Sequence, residues 1–201
     1  MASNLSNGIY QSQSDEELAY LSINDVNAFY SLIKRYESKI GRYINRMTGG
    51  NQDKSEDILQ EIFIKVYRHL NSFDPKLKFS RWIYRIAHNE IINQHYKDKT
   101  HTTTVSLDDT DQLNLSAKLI YDEDIHDAYI YSETAKTVKK AIEELPLKYR
   151  EVLILRFFED KDYKEISDIL RKPPGTVATL LNRAKIKFKK IARKYQLDKE
   201  I

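Results

Sequence analysis

The sequence predicts an all-α fold, with two small helical domains joined by a polar, acidic linker. Apolar residues recur at steps of three and four over several long stretches, which is the spacing of one face of an α-helix. Only 5 glycines and 4 prolines occur in 201 residues, too few for the many turns of a β-rich fold. This length suits one ordinary domain or two small ones.

Composition excludes several classes of protein. The chain has no cysteine, which excludes a disulfide scaffold and a cysteine zinc site and suits the cytoplasm. No apolar run reaches the roughly 18 residues of a membrane span, and residues 1–13 lack the pattern of a signal peptide. The 5 histidines lack metal-ligand spacing, and no phosphate-binding loop or nucleophile elbow is present. We therefore expect no enzymatic activity, no metal and no cofactor.

Three helices are predicted in the N-terminal half. The first runs from about Asp25 to Met47, with its apolar residues on one face. Asp53 followed by Glu56 predicts a capping box, with Asp53 as the N-cap of the second helix. A third helix is predicted from an N-cap at Ser80 to about Tyr96. Three helices joined by short loops can close one small core.

Periodicity fades between Asp98 and Tyr131, where we place the linker, with a helical turn expected around Leu115–Tyr121. Helical order resumes with Val138. Pro146 fits the first position of a further helix, since proline is favoured there.

The C-terminal segment has the spacing of a helix-turn-helix. Asp162 and Glu165 predict a second capping box, and a tight turn over residues 171–175 precedes a longer basic helix that opens at Thr176. In such motifs the first residues of the second helix reach base edges in the major groove. The candidates opposite its buried stripe are Thr176, Thr179, Leu180 and Arg183. The alternative is a plain helical hairpin with a basic tail.

Charge is distributed in three zones. Residues 76–99 contain six bases and two acids, residues 106–133 contain eight acids and one base, and residues 171–199 contain ten bases and one acid. Solvated helix faces can produce such zones. Two basic zones also suit nucleic acid, because neutralised phosphates release counterions.

Aromatic and basic residues are mixed between Phe79 and Asn89, a pattern typical of single-strand binding. The helical spacing of Phe79 and Trp82 instead favours a core, and we assign Trp82 to the core.

Four stretches, in this order, resemble one known family. Ser55–Phe63 resembles the acidic D-x-x-Q-E-x-F stretch of sigma-70 family factors. Phe79–Asn89 resembles the F-x-x-W-L-x-x-I-A-x-N stretch of the extracytoplasmic-function (ECF) group. Leu145–Val152 and Pro173–Val177 resemble the fourth region of these factors. The resemblance covers roughly residues 25–99 and 139–195.

This resemblance implies a bacterial transcription initiation factor that binds core RNA polymerase and directs promoter recognition and melting. The implied organisation is an N-terminal extension (1–24), a region 2-like domain (25–99), a linker (100–133) and a region 4-like helix-turn-helix domain (134–201). The implied partners are core RNA polymerase, promoter DNA and an anti-sigma factor, and the implied location is the cytoplasm.

The resemblance also implies three groups of binding residues. Those for docking on the polymerase clamp helices are Asp57, Gln60 and Glu61. Those for the minus-10 element, where the loop of residues 71–78 captures a flipped base, are Asn71, Phe73, Lys78, Arg81, Tyr84, Arg85 and Asn89. Those for the minus-35 element are Lys172, Thr176, Thr179, Leu180 and Arg183.

The chain departs from the family at the helix-turn-helix. Arg171 stands where the turn usually has glycine, which predicts a non-glycine residue with positive φ at a cost of about 1 kcal/mol. Ala178 and Leu180 occupy positions that are often basic, so fewer DNA contacts are expected there.

Two other functions stay open at this point. A stand-alone helix-turn-helix regulator, with an N-terminal bundle that senses or dimerises, would bind duplex DNA tightly without polymerase. A helical enzyme that transfers phosphoryl or nucleotidyl groups is the third, but the sequence contains no motif for it.

Overall fold

The computed structural model of the chain describes residues 10–102 and 128–197. Within these ranges no strand occurs, which confirms the all-α prediction. The helices, in chain order, are α1 (Asp15–Leu21), α2 (Val26–Thr48), α3 (Gln52–His69), α4 (Phe79–Thr102), α5 (Ala128–Glu143), α6 (Leu147–Phe157), α7 (Tyr163–Leu170) and α8 (Pro174–Lys194). A short 3-10 turn, Leu70–Ser72, follows α3.

The chain divides into two compact units, one built mainly on α1–α4 and the other mainly on α5–α8. In the first unit each helix buries one apolar face, as the periodicity predicts. The fully buried aliphatic side chains there are Leu18 of α1, Leu32, Ile40 and Ile44 of α2, Ile58 and Ile62 of α3, and Ile83 of α4.

Four aromatic rings form the end of this core next to the loop between α3 and α4. The ring of Phe79 lies 5.3 Å from Tyr36, 5.4 Å from Phe73 and 5.5 Å from Trp82, measured between centroids. Phe73 also lies 5.3 Å from Trp82. Tilted and edge-on ring pairs of this kind stabilise a fold by about 0.5–1.5 kcal/mol each beyond the area they bury. Trp82 is thus a core residue, as predicted. We name these four residues the aromatic cluster.

In the second unit both α5 and α6 pack against α8. Ala141 of α5 meets Ala192 near the end of α8, and Phe188 and Ile191 pack around them. The rest of this core includes residues of α6, α7 and α8 that are at most 1% exposed, among them Val152, Ile154, Leu155, Ile166, Val177, Leu181 and Ala184.

Helix α7, the first helix of the helix-turn-helix, has the two end features that the sequence predicts. Asp162 accepts a hydrogen bond from the Glu165 N–H at 2.7 Å and Glu165 accepts one from the Asp162 N–H at 3.0 Å, so the predicted capping box is present. Arg171 ends α7 with φ 51° and ψ 45°. This left-handed conformation confirms the strained non-glycine residue expected at that position.

Several predicted helix starts are shifted by one or two residues. α3 begins at Gln52, so Asp53 lies inside its first turn and is not the N-cap. Asn51, another residue type favoured at an N-cap, precedes the helix instead. α4 begins at Phe79, so Ser80 is its second residue. The helix starts one residue earlier, at Phe79, whose N–H has an acceptor outside the helix at Glu16.

Prolines define the starts of α6 and α8. Pro146 is the N-cap of α6 rather than its first residue. Pro173 is the N-cap of α8, and the helix opens at Pro174, two residues before the predicted Thr176. A proline at the first helical position loses no hydrogen bond, because that N–H has no partner within the helix.

Helix reaches further into the stretch assigned to the linker than the sequence predicts. α4 continues to Thr102 and α5 begins at Ala128, so helix covers both ends of the stretch assigned to the linker. The helical turn predicted around Leu115–Tyr121 lies outside the described residues.

One buried charge joins α3 to α4. The side chain of Glu90 is 2% exposed, and its carboxylate accepts hydrogen bonds from Lys65 of α3 and from Gln94 at 3.0 Å. Burial acts to raise the pKa of Glu90, but the hydrogen bonds from Lys65 and Gln94 and the nearby lysine charges outweigh it, so the pKa is lowered. A carboxylate with a lowered pKa stabilises the fold in its ionised form.

We expect Glu90→Gln to reduce the free energy of unfolding by about 1 kcal/mol at pH 7, because the charged partner of Lys65 is lost. The wild-type advantage is present above the unfolded pKa of 4.5 and is lost as the pH falls through the lowered folded pKa. Urea unfolding followed by fluorescence of Trp82, the one tryptophan of the chain, measures this at pH 7 and pH 3.

The matched control is Glu37→Gln, which removes an exposed carboxylate that pairs with Lys34 on α2. If the free energies of unfolding of wild type and Glu90→Gln differ by the same amount at pH 7 and pH 3, the ionised carboxylate does not have this role.

Candidate functional site

The predicted polymerase-docking residues share one face of α3. Asp57, Gln60 and Glu61 lie at steps of three and four, and the opposite face buries Ile58 and Ile62. Asp57 and Gln60 are exposed. Glu61 is half-buried, and its Oε1 lies 3.9 Å from Nζ of Lys65, which is one turn further along the helix. We name Asp57, Gln60 and Glu61 the acidic face.

The loop between α3 and α4 is held in shape by its own hydrogen bonds. Asp74 accepts bonds from the N–H of Lys76 at its carboxylate, at 3.0 Å, and from the N–H of Leu77 at its carbonyl, at 2.9 Å. Leu77 is nevertheless 54% exposed, and Asn71 and Lys78 are exposed at the two ends of the loop. A loop with fixed backbone and exposed side chains can receive a partner without first being ordered.

Two of the predicted minus-10 residues lie in the core. Phe73 is 8% exposed and belongs to the aromatic cluster. Tyr84 is 2% exposed and packs against Tyr43 at 5.4 Å between ring centroids. Neither ring offers surface on which a base could stack. The expectation that Phe73 and Tyr84 contact DNA is therefore corrected: both side chains pack in the core.

The remaining predicted minus-10 residues share one face of α4. Arg81, Arg85 and Asn89 follow one another at steps of four, so they project from one side of the helix. Asn89 is exposed, and the two arginines are half-buried. With Lys78 and the loop, these residues form a basic and amide-bearing surface, which we name the loop–α4 face.

The predicted minus-35 residues surround the start of α8. Thr176, Thr179 and Arg183 are exposed, while Leu180 is half-buried and Val177 is fully buried. The Thr179 hydroxyl donates to the carbonyl of Gly175 at 2.9 Å.

Lys172 lies exposed in the turn before α8, where its N–H donates to the Ser167 carbonyl at 3.1 Å and its carbonyl accepts from the Ser167 hydroxyl at 2.5 Å. We name Lys172, Thr176, Thr179, Leu180 and Arg183 the α8 face.

Helix α1 is a difference from the sequence prediction, in which residues 1–24 form an extension without a motif. Ser14 and Glu17 form a capping box at its start, and Leu18 and Ala19 are buried. The S-x-x-E spacing before an apolar pair is the signal that could have found it.

Comparisons with known proteins follow the same division of the chain. The family model for sigma-70 region 2 matches residues 32–101, and the model for sigma-70 region 4 matches residues 135–188. The ECF RNA polymerase sigma factor SigW of Bacillus subtilis is 35% identical over 171 residues, which cover 84% of this chain and 91% of SigW. The ECF RNA polymerase sigma-E factor of Escherichia coli K12 is 30% identical over 163 residues, which cover 80% of this chain and 84% of the sigma-E factor.

Two solved structures share the fold. One is CnrH in complex with the cytosolic domain of CnrY, with a TM-score of 0.65 and 18% identity over 90% of this chain and 99% of the other. The other is the sigma factor RpoE in complex with the anti-sigma factor NepR from Bartonella quintana. It has a TM-score of 0.66 and 19% identity over 82% of this chain and 96% of the other.

An all-α chain with a helix-turn-helix and matches to regions 2 and 4 in this order defines a promoter-specificity subunit of bacterial RNA polymerase. The chain belongs to the sigma-70 family of sigma factors and, within it, to the ECF group. It is a transcription initiation factor that works with core RNA polymerase at promoter DNA, and it is not an enzyme. The alternative of a stand-alone regulator is set aside. Across the described ranges, no helix has the length and apolar character needed to span a membrane.

Proposed function

We propose that this sigma factor uses its three exposed faces separately: the acidic face for core polymerase, the loop–α4 face for the minus-10 element and the α8 face for the minus-35 element. In this proposal residues 25–99 act as the region 2-like domain and residues 134–201 as the region 4-like domain. The observation that supports it best is that each face lies opposite a buried stripe of the same helix. The side chains are thereby fixed in direction without being needed for the core.

The acidic face suits a basic protein surface. Two carboxylates and an amide project from one side of α3, and Asp57 and Gln60 are open to a partner. Charge complementarity of this kind steers encounter and selects the partner.

The loop–α4 face suits a locally opened duplex. Extruding a base costs a few kcal/mol of unstacking, so the protein must offset that cost with new contacts. The exposed loop side chains can contact the flipped base, while Lys78, Arg81 and Arg85 can contact the phosphates beside it. Phe73 and Tyr84 contribute by holding the loop and α4 in place rather than by touching DNA.

The α8 face suits the major groove. Thr176 and Thr179 can contact base edges or phosphates, and Arg183 can pair with the O6 and N7 atoms of guanine. The half-buried Leu180 adds only an apolar edge, so we propose that few base contacts determine this half of the promoter.

We further propose an anti-sigma factor as a second protein partner and the cytoplasm as the place of action. Of the two solved structures that share the fold, RpoE is described in complex with the anti-sigma factor NepR and CnrH in complex with the cytosolic domain of CnrY. In this chain Phe157, Phe158 and Tyr163 are 57%, 42% and 43% exposed near the start of the helix-turn-helix. These three rings are close in sequence, and exposed large apolar side chains are typical of a surface that another protein covers.

Reversal of one charge on the acidic face, in Asp57→Lys or Glu61→Lys, is expected to weaken binding to core polymerase about tenfold or more, since an attractive contact becomes repulsive. Fluorescence anisotropy of the labelled sigma factor titrated with core enzyme measures this. Glu37→Lys reverses an exposed carboxylate on α2 and should bind core like the wild type. Equal affinities for all four proteins contradict the docking assignment.

Arg183→Ala is expected to reduce run-off transcription from minus-35-dependent promoters about tenfold, because one bidentate base contact contributes roughly 1–3 kcal/mol. Sequencing the run-off transcripts of the reconstituted holoenzyme on genomic DNA gives the promoter profile. Lys189→Ala, an exposed lysine elsewhere on α8, is the charge-matched control. An unchanged profile with Arg183→Ala removes this residue from the α8 face.

Phe157→Asp is expected to lower the affinity for a purified anti-sigma factor at least about tenfold, because a charge would be placed against an apolar contact. Thr134→Asp adds the same charge on a different helix, α5, as a control. Binding of the inhibitor that survives Phe157→Asp contradicts the proposed location.

A further inference from the structure

We propose that Glu16 of α1 is a positioning residue for the minus-10 site: its carboxylate caps the N-terminus of α4 and thereby holds the loop–α4 face in its binding conformation. This inference rests on the proposed role of that face. Glu16 precedes residue 32, where the match to the region 2 family model begins.

The start of α4 requires an acceptor that its own sequence does not provide. The first N–H groups of a helix have no partner within the helix. The residue before α4 is Lys78, whose side chain cannot accept a hydrogen bond. The N–H of Phe79 donates instead to Oε1 of Glu16 at 3.0 Å, across 63 residues of sequence. A carboxylate at this end of a helix is also favoured by the helix dipole.

The same carboxylate lies near the last residue of the loop. Oε2 of Glu16 is 3.9 Å from Nζ of Lys78, whose side chain is 69% exposed. Glu16 therefore neighbours both the backbone that starts α4 and a proposed phosphate-binding lysine. Its own side chain is 21% exposed, so it is shielded from water more than a surface ion pair would be.

Helix α1 holds Glu16 in a fixed position. Asp15, the preceding residue, accepts from Arg35 at 2.7 Å and from the hydroxyl of Tyr36 at 2.6 Å. Burial raises the pKa of Tyr36, and the bond to Asp15 raises it further, so the hydroxyl stays protonated and able to donate. Leu18 and Ala19 of α1 are 0% and 1% exposed, so α1 is packed into the core of the first unit.

Arg35 also ties down the chain before α1. Its guanidinium donates to the backbone carbonyls of Gln13 at 2.8 Å and Tyr10 at 2.7 Å. The residues that precede Glu16 are therefore fastened to α2 at Tyr10, Gln13 and Asp15.

Phe79 connects the cap to the loop. Its N–H is held by Glu16 and its ring packs on Phe73, which is in the loop, and on Trp82 in the first turn of α4. Loss of the cap frees the backbone at the point where the aromatic cluster meets the loop. A binding site whose residues are displaced by about 1 Å from the geometry that fits the ligand loses much of its affinity.

The test compares Glu16→Ala, Glu16→Gln and Glu37→Ala in holoenzyme reconstituted with core polymerase. The first DNA probe is a fork with a single-stranded non-template minus-10 segment, taken from a promoter that gives run-off transcripts. The second is a duplex that contains only the minus-35 element. We expect Glu16→Ala to bind the fork about tenfold more weakly, the factor for losing one hydrogen bond to a charged group. Its binding to the duplex and to core should be unchanged.

The control variants separate positioning from general loss of structure. Glutamine retains an acceptor oxygen, so Glu16→Gln should restore most of the fork affinity. Glu37→Ala, which removes an exposed carboxylate on α2, should match the wild type. Hydrogen exchange of the free full-length chain should show a faster amide at Phe79 in Glu16→Ala than in Glu16→Gln, with α6–α8 unchanged.

Wild-type fork affinity in Glu16→Ala overturns the inference, as does failure of Glu16→Gln to restore it. Arg85→Ala, measured in parallel, tests the underlying site. If Arg85→Ala weakens fork binding and Glu16→Ala does not, only the role of Glu16 is wrong. If Arg85→Ala binds the fork like the wild type, the proposed minus-10 site fails and the role of Glu16 fails with it.

Discussion

Packing around Phe79 is the constraint on which the N-terminal unit depends. Its ring contacts Tyr36 of α2, Phe73 of the loop and Trp82 of α4, while its N–H is held by Glu16 of α1. Four separate segments thus meet at one residue. Because protein interiors are close-packed, a shift of any one of them must move the others. The loop can therefore expose its polar side chains and still keep a defined backbone.

Helices α3 and α8 each have a buried apolar face and an exposed polar face. In α3 the apolar face with Ile58 and Ile62 builds the core, and Asp57 and Gln60 remain exposed on the other side. In α8 the buried Val177 and the exposed Arg183 show the same division. Under the proposed assignment, a change on the exposed side alters binding with little effect on folding.

Local rules predicted much of this molecule and erred where long-range packing competed with them. The capping box at Asp162 and the left-handed Arg171 follow from sequence because both depend on neighbours within a few residues. The start of α4 does not follow, because Ser80 is the better local N-cap but Phe79 is held by contacts far away in sequence. Phe73 and Tyr84 are expected at the minus-10 element because they match family positions there, and a match of positions does not show that both rings are buried.

Periodicity, capping residues and ordered motifs were sufficient to determine the all-α class, the family and the three groups of candidate residues. These signals are local or linear, and a chain displays them without folding. Only the tertiary structure decided which of the minus-10 candidates remain at the surface and that α1 provides the cap of α4. Burial and cross-chain hydrogen bonds depend on which segments meet in space, and residues 16 and 79 are brought together only when the first unit closes.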